Sequence, residues 1–181
     1  MRQEVIYFDK AGEENTSSVL DIAHNRFSKG DIDAVVIAST RGKTAREAAE
    51  EFEKRGIKLI FVGEVIDGKQ SPPQDVCDDL EKMGHRVIWG LPMGQMSKFT
   101  RDDSAKLLAD AYKRISEGFK VVCEIVLIAT NAGYIAKGAK VISIAGTHYG
   151  ADTAIVATAS GYDDFMHFQV HELLCKPYKR A

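Results

Sequence analysis

The chain has 181 residues, 45% of them hydrophobic and 28% charged, with a formal net charge of −2 and a pI near 6.2. This length accommodates one domain, residues 1–181, with a sizeable core. The near-neutral balance excludes broad electrostatic capture of nucleic acid, which needs a strongly basic face.

Apolar runs of strand length alternate with amphipathic runs of helix length. Val5–Phe8 reads as a first strand, and its four apolar residues before Asp9 are too few for a signal peptide. A helix is expected over 15–29, with Val19, Leu20, Ile22, Ala23 and Phe27 on one side and Gly30 closing it. Residues 34–38 form a second strand and 44–55 a helix ended by Gly56. A third strand runs over 58–62, a helix over 73–83 with proline in its first turn, and a fourth strand over 86–89. Residues 91–100 read as a loop and 102–115 as a helix. Residues 121–135 read as an apolar helix stopped by Gly138, carrying Glu124 as either a buried acid or an outward-facing one. A membrane span needs a much longer apolar run. Strands over 141–145, 154–159 and 168–175 finish the chain.

This alternation predicts an α/β fold: a mostly parallel twisted sheet with helices on both faces and an antiparallel C-terminal edge. Ligands of such sheets bind beyond the carboxyl ends of the strands. The residues expected at that rim are rich in glycine and hydroxyl groups. Asn15 and Thr16 follow the first strand, Ser39-Thr40-Arg41-Gly42-Lys43-Thr44 the second, Gly63 and Gly90 the third and fourth. Gly146-Thr147-His148-Tyr149-Gly150-Ala151-Asp152-Thr153 follows the strand over 141–145.

The 39–44 segment is a strand–loop–helix junction. Unpaired N–H groups and the positive end of the macrodipole attract anions there, and Arg41 and Lys43 add charge. Gly42-Lys43-Thr44 matches the end of a Walker A motif, but the opening glycine would fall at Ile37, which argues against an ATPase or GTPase. A plainer reading makes Thr44 and Glu47 a capping box, which leaves Ser39, Thr40, Arg41 and Lys43 unexplained. The 146–153 loop has the glycines and the aromatic ring to approach a ligand closely, or it is a simple connection. Thr16 reads as a helix cap and Asn15 as a turn residue, with ligand contact as the second reading of each. His167 and His171 lie four apart but in a strand-like setting without an acidic partner of metal-site pattern. His24 and His85 read as surface or helix-end residues. No nucleophile–base pair is evident. Cys77, Cys123 and Cys175 lack C-x-x-C spacing and read as idle thiols in a reducing compartment, which with the missing leader points to the cytoplasm.

The segment Val35–Ala45 resembles the phosphate-loop segment of the C-terminal domain of pyruvate kinase, and the 146–153 loop resembles that domain's later glycine-rich loop. Over nearly its full length the chain is similar to small stand-alone archaeal and bacterial proteins described as pyruvate kinase α/β-domain-like. The resemblance implies a regulatory-type ligand-binding domain without the catalytic barrel, hence not a pyruvate kinase. It implies a phosphate held by Ser39, Thr40, Arg41, Gly42, Lys43 and Thr44, with Gly146, Thr147, Asp152 and Thr153 on the other wall. His148 and Tyr149 depart from sugar-binding chemistry and leave room for an aromatic ring. Flavin mononucleotide (FMN) is the ligand expected on this resemblance, with Val62, Leu91 and Tyr149 covering its ring. Two other readings stay open. One is an enzyme acting on a small phosphorylated metabolite, with His148 and Asp152 as proton-transfer candidates. The other is an assembly module that packs its 121–135 helix and closing strand on a second copy as a homo-oligomer.

Overall fold

A computed structural model describes residues 2–53, 57–66, 69–90 and 103–179. The eight strands are β1 (Ile6–Phe8), β2 (Ala34–Ala38), β3 (Leu59–Ile66), β4 (Lys69–Ser71), β5 (Arg86–Gly90), β6 (Lys140–Ala145), β7 (Thr153–Thr158) and β8 (Gln169–Pro177). The helices are α1 (Thr16–Phe27), α2 (Lys43–Glu53), α3 (Gln74–Lys82), α4 (Ser104–Tyr112) and α5 (Glu117–Asn131). All strands join one sheet in the order β1-β8-β7-β6-β2-β3, with β5 and β4 both paired to β3. β6, β2, β3 and β5 run parallel. β7 is antiparallel to both of its neighbours, which makes the C-terminal part of the sheet antiparallel, and β1 adds outside β8 in parallel. The α/β architecture expected from the alternation is thus the one observed.

Alternation along the central strands feeds two cores, because successive side chains point to opposite faces. Val35 and Ile37 of β2, with Leu59, Phe61, Ile142 and Ile144, pack against Val19, Leu20 and Ala23 of α1, Ala45, Ala48 and Phe52 of α2, and Val76 and Leu80 of α3. Val36, Ile60, Val141 and Ile155 face Val122, Ile125, Val126 and Ala129 of α5. A sheet covered on both faces needs continuous apolar strands, and these have them.

Several elements differ from expectation; β3, expected to end at residue 62, runs on to Ile66. Helix α5 starts four residues before the expected Val121, because Ser116 caps it: the hydroxyl accepts the Phe119 N–H at 2.9 Å. It stops at Asn131 rather than running to Ile135. Gly133, at φ +79°, closes it in a left-handed turn, with the Tyr134 N–H returning to the Ala129 carbonyl. Residues 122–130 of α5 are all buried within the one chain, so the apolar helix proposed for packing on a second copy is already covered. The short strand β4 and a 3-10 turn at Tyr162–His167 were not anticipated. The expected 91–100 loop lies outside the described residues. Among the described residues, no helix is long and apolar enough to cross a membrane.

Candidate functional site

The carboxyl ends of β2, β3 and β6 open onto one cleft of about 750 Å³, within the range of roughly 300–1,000 Å³ usual for small-molecule sites. Its walls are Ala38, Ser39, Thr40, Arg41, Lys43 and Thr44 from the β2–α2 junction, and Gly146, His148, Tyr149 and Gly150 from the loop after β6. Glu13, Glu64, Ser71 and Val121 complete it.

The β2–α2 junction is built for tight entry into a helix. Gly42 has φ +86°, and its carbonyl accepts the Arg46 N–H, so the helix begins at Lys43. Thr44 is then already inside the first turn, two residues past the cap position that Gly42 occupies. The first N–H groups of α2 have no partner within the helix. Just before them, Ser39 is 5% exposed, and its Oγ is buried with no hydrogen-bond partner among the described residues. An unmatched buried hydroxyl costs about 1–3 kcal/mol, so its place on the cleft wall at a helix N-terminus is informative.

The opposite wall is held by Asp152, which is fully buried. Its Oδ2 accepts the Thr147 N–H at 3.0 Å and the Gly12 N–H at 3.3 Å, and its Oδ1 accepts the Thr153 hydroxyl at 2.7 Å. Thr16 Oγ1 donates to the Glu13 carbonyl and accepts the Ala151 N–H at 3.0 Å. Asn15 turns its amide back to the Lys10 and Gly12 carbonyls. Asp152 and Thr16 thus tie the 146–153 loop to the segment after β1, and they, Asn15, Thr147 and Thr153 do not line the cleft. His148 is held at φ +62°, the only non-glycine residue with positive φ among those described. Such backbone strain clusters at functional sites.

Arg41 joins the two walls. Its guanidinium lies 4.1 Å from the Tyr149 ring centroid and donates to the Tyr149 hydroxyl at 2.7 Å. Lys43 is 3.5 Å from the Glu13 carboxylate, an exposed pair of small energetic weight. Glu64 has no ion-pair partner among the described residues, and its strand position explains why it faces the cleft. It is flanked by Gly90 on one side and Ser71 on the other, so β4 continues the lane of β2 beyond that strand's end. The Ser71 hydroxyl donates to the Thr40 carbonyl and fastens β4 to the 39–44 loop.

Of the residues singled out in the sequence, the cleft therefore gathers Ser39, Thr40, Arg41, Lys43, Thr44, Gly146, His148 and Tyr149. Gly42 shapes the helix start against Val76, and Gly63 packs under the Ser71 carbonyl where a side chain has no room. Val62 is buried in the core beneath α5, and the apolar wall is Val121 and Ala38 instead. Leu91 lies outside the described residues. Glu13, Glu64 and Ser71 were missed: none belongs to a motif, and the β4 hairpin that brings Ser71 in is signalled only by the Asp67-Gly68 pair.

The other histidines take structural places. His85 is buried rather than superficial, its Nδ1 accepting the Leu59 N–H at 3.3 Å and its ring edge-on to Phe61. His24 is partly buried against Phe52. His171 contacts the Thr158 hydroxyl and His167 the Asp164 carboxylate, each at 2.6 Å. Glu124 is the buried acid of the two alternatives, 2.8 Å from Lys120.

Fold and cleft together define the class: an α/β protein whose β2–α2 and β6–β7 loops face each other across a pocket at the carboxyl ends of its parallel strands. No protein-family model matches the chain.

Proposed function

We propose that this protein binds a small phosphorylated molecule, its phosphate seated at the 39–44 junction and its body lying between Tyr149 and the Val121–Ala38 wall, with FMN the favoured occupant. The observation that carries this reading is the Ser39 hydroxyl, buried without a partner among the described residues beside the N-terminus of α2. A phosphate oxygen would give it the missing hydrogen bond, together with the first N–H groups of α2. Arg41 and Lys43 supply the neutralising charge. FMN enters through the resemblance to the stand-alone pyruvate kinase C-terminal domain-like proteins, and the Tyr149 ring at the cleft supports a planar partner.

The test is Ser39→Ala. If the hydroxyl is kept for a ligand, its removal relieves a buried unmatched group, so the ligand-free variant melts at or above the parent's temperature while affinity for FMN and for inorganic phosphate falls about tenfold. FMN fluorescence quenching, with riboflavin as the phosphate-free control, reads the affinity. A protein that neither quenches FMN nor responds to phosphate refutes the proposal.

One observation favours an enzyme as the second reading: the positive φ of His148 on the cleft wall. Asp152 is fully engaged in its three hydrogen bonds, which leaves His148 as the candidate for proton transfer. Turnover of a phospho-metabolite that His148→Ala abolishes would support it.

A further inference from the structure

The charges around the cleft do not suit a polyanion. Among the described residues, Arg41 and Lys43 are the two cations that line it, and Lys43 is 3.5 Å from the Glu13 carboxylate. Glu64 adds a second carboxylate on the β3–β4 side, with no cation of the described residues against it. One phosphate at the helix N-terminus is compensated by the N–H groups, the Ser39 hydroxyl and the nearby cations. A second phosphate in the same cleft would have to share it with the Glu13 and Glu64 carboxylates, and like charges in a cleft screened by protein repel strongly. An unpaired carboxylate on a cleft wall instead accepts hydrogen bonds from O–H or N–H groups.

We infer that the cleft selects a phosphomonoester whose body carries hydroxyl or amino donors, that it rejects bisphosphates and polyphosphates, and that Glu64 is the residue that enforces the choice. This rests on the 39–44 junction being the phosphate seat, and it adds the substrate class and the residue that sets it. Glu64 is suited to the role by its position. It leaves β3 at the residue where β4 and β5 both pair with that strand, so its backbone is fixed on two sides and its carboxylate is presented from a rigid element.

Four probes test the inference by calorimetric or NMR titration of the full chain: inorganic phosphate, methyl phosphate, ribose 5-phosphate and ribose 1,5-bisphosphate. The expected order places ribose 5-phosphate at least threefold tighter than methyl phosphate, and at least tenfold tighter than the bisphosphate. Glu64→Gln is expected to shrink the gap between mono- and bisphosphate to about twofold and to weaken the advantage of ribose 5-phosphate over methyl phosphate. A purely structural role for Glu64 would move all four affinities together. A bisphosphate that binds the parent as tightly as the monophosphate, or a ratio unchanged by Glu64→Gln, overturns the inference while Ser39-dependent phosphate binding still stands. If no probe binds and Ser39→Ala changes nothing, the phosphate seat and the selectivity built on it fall together.

Discussion

Replacing Asp152 separates geometry from charge at the wall that holds the 146–153 loop. In Asp152→Asn the amide oxygen can take the place of Oδ2 and accept the Thr147 and Gly12 N–H groups, now 3.0 and 3.3 Å away. The amide nitrogen then donates to Thr153 Oγ1, and the Thr153 hydroxyl turns its hydrogen to Ser116 Oγ at 3.3 Å. Every group that bonded to Asp152 keeps a partner and one amide hydrogen is left over, so the expected cost is about 1–2 kcal/mol. Asp152→Ala leaves the buried Thr147 N–H orphaned, at about 2 kcal/mol, and the half-buried Gly12 N–H, at about 1 kcal/mol, with the Thr153 hydroxyl adding less because Ser116 is in reach. The total is about 3–4 kcal/mol. With a urea slope of about 2 kcal/mol/M, the midpoint should fall by about 1.5–2 M. Trp89, the single tryptophan, reports the unfolding by fluorescence. Equal midpoints for the Asn and Ala variants, or an Ala cost below about 1 kcal/mol, would refute the role given to Asp152. Because the same bonds position His148 and Tyr149, the Ala variant should also bind FMN more weakly, and the Asn variant should not.

Glu172→Gln tests the cluster in which Arg26, buried, is shared between Glu172 at 2.7 Å and Asp31 at 2.6 Å. The Arg26 hydrogen bonds hold the Glu172 carboxyl below its ordinary 4.5, so its contribution to stability is present above that pH and lost as pH falls through the lowered folded value. The variant should be about 1–3 kcal/mol less stable at pH 7, and its deficit should close in urea titrations run at successively lower pH below about 4.5; a deficit independent of pH would count against the ion pair. Gly42→Ala places a side chain at φ +86° with its Cβ 2.5 Å from Val76 Cγ1, and should cost about 2 kcal/mol in urea unfolding; a neutral result would mean that the β2–α2 turn can relax. Burial pushes the thiol of Cys175 up to about 12 and raises those of Cys77 and Cys123. All three should therefore resist thiol reagents in the native state and react only at the rate of unfolding; fast native labelling would contradict their burial.

The elements that were legible in the sequence are those whose own residues dictate them. Strand β2, β3 over 59–62 and β6 over 141–145 are apolar runs, interrupted only by Ser143, that two-sided burial satisfies, and the glycines after β2 and β6 mark the turns that open the cleft. The 39–44 junction was legible for the same reason, since a hydroxyl, cation and glycine cluster at a strand–helix boundary has few uses. Asp152 and Thr16 were harder. Their residue types fit either a ligand or a brace, and only the pairing of β1 with β8 and of β6 with β7 brings the Gly12–Thr16 segment beside the 146–153 loop, over 130 residues away in the chain, where bracing becomes their use. Glu64 was invisible because its meaning lies in what surrounds it. An acid at the end of a strand is unremarkable in sequence. It becomes a selector only when β4 folds back along the lane of β2, Ser71 fastens to Thr40, and the carboxylate is left on the wall of the same pocket that gathers N–H groups and cations. A site of this kind discriminates through the mismatch it imposes on the wrong ligand as much as through the contacts it offers the right one, and the charge that supplies the mismatch need belong to no motif.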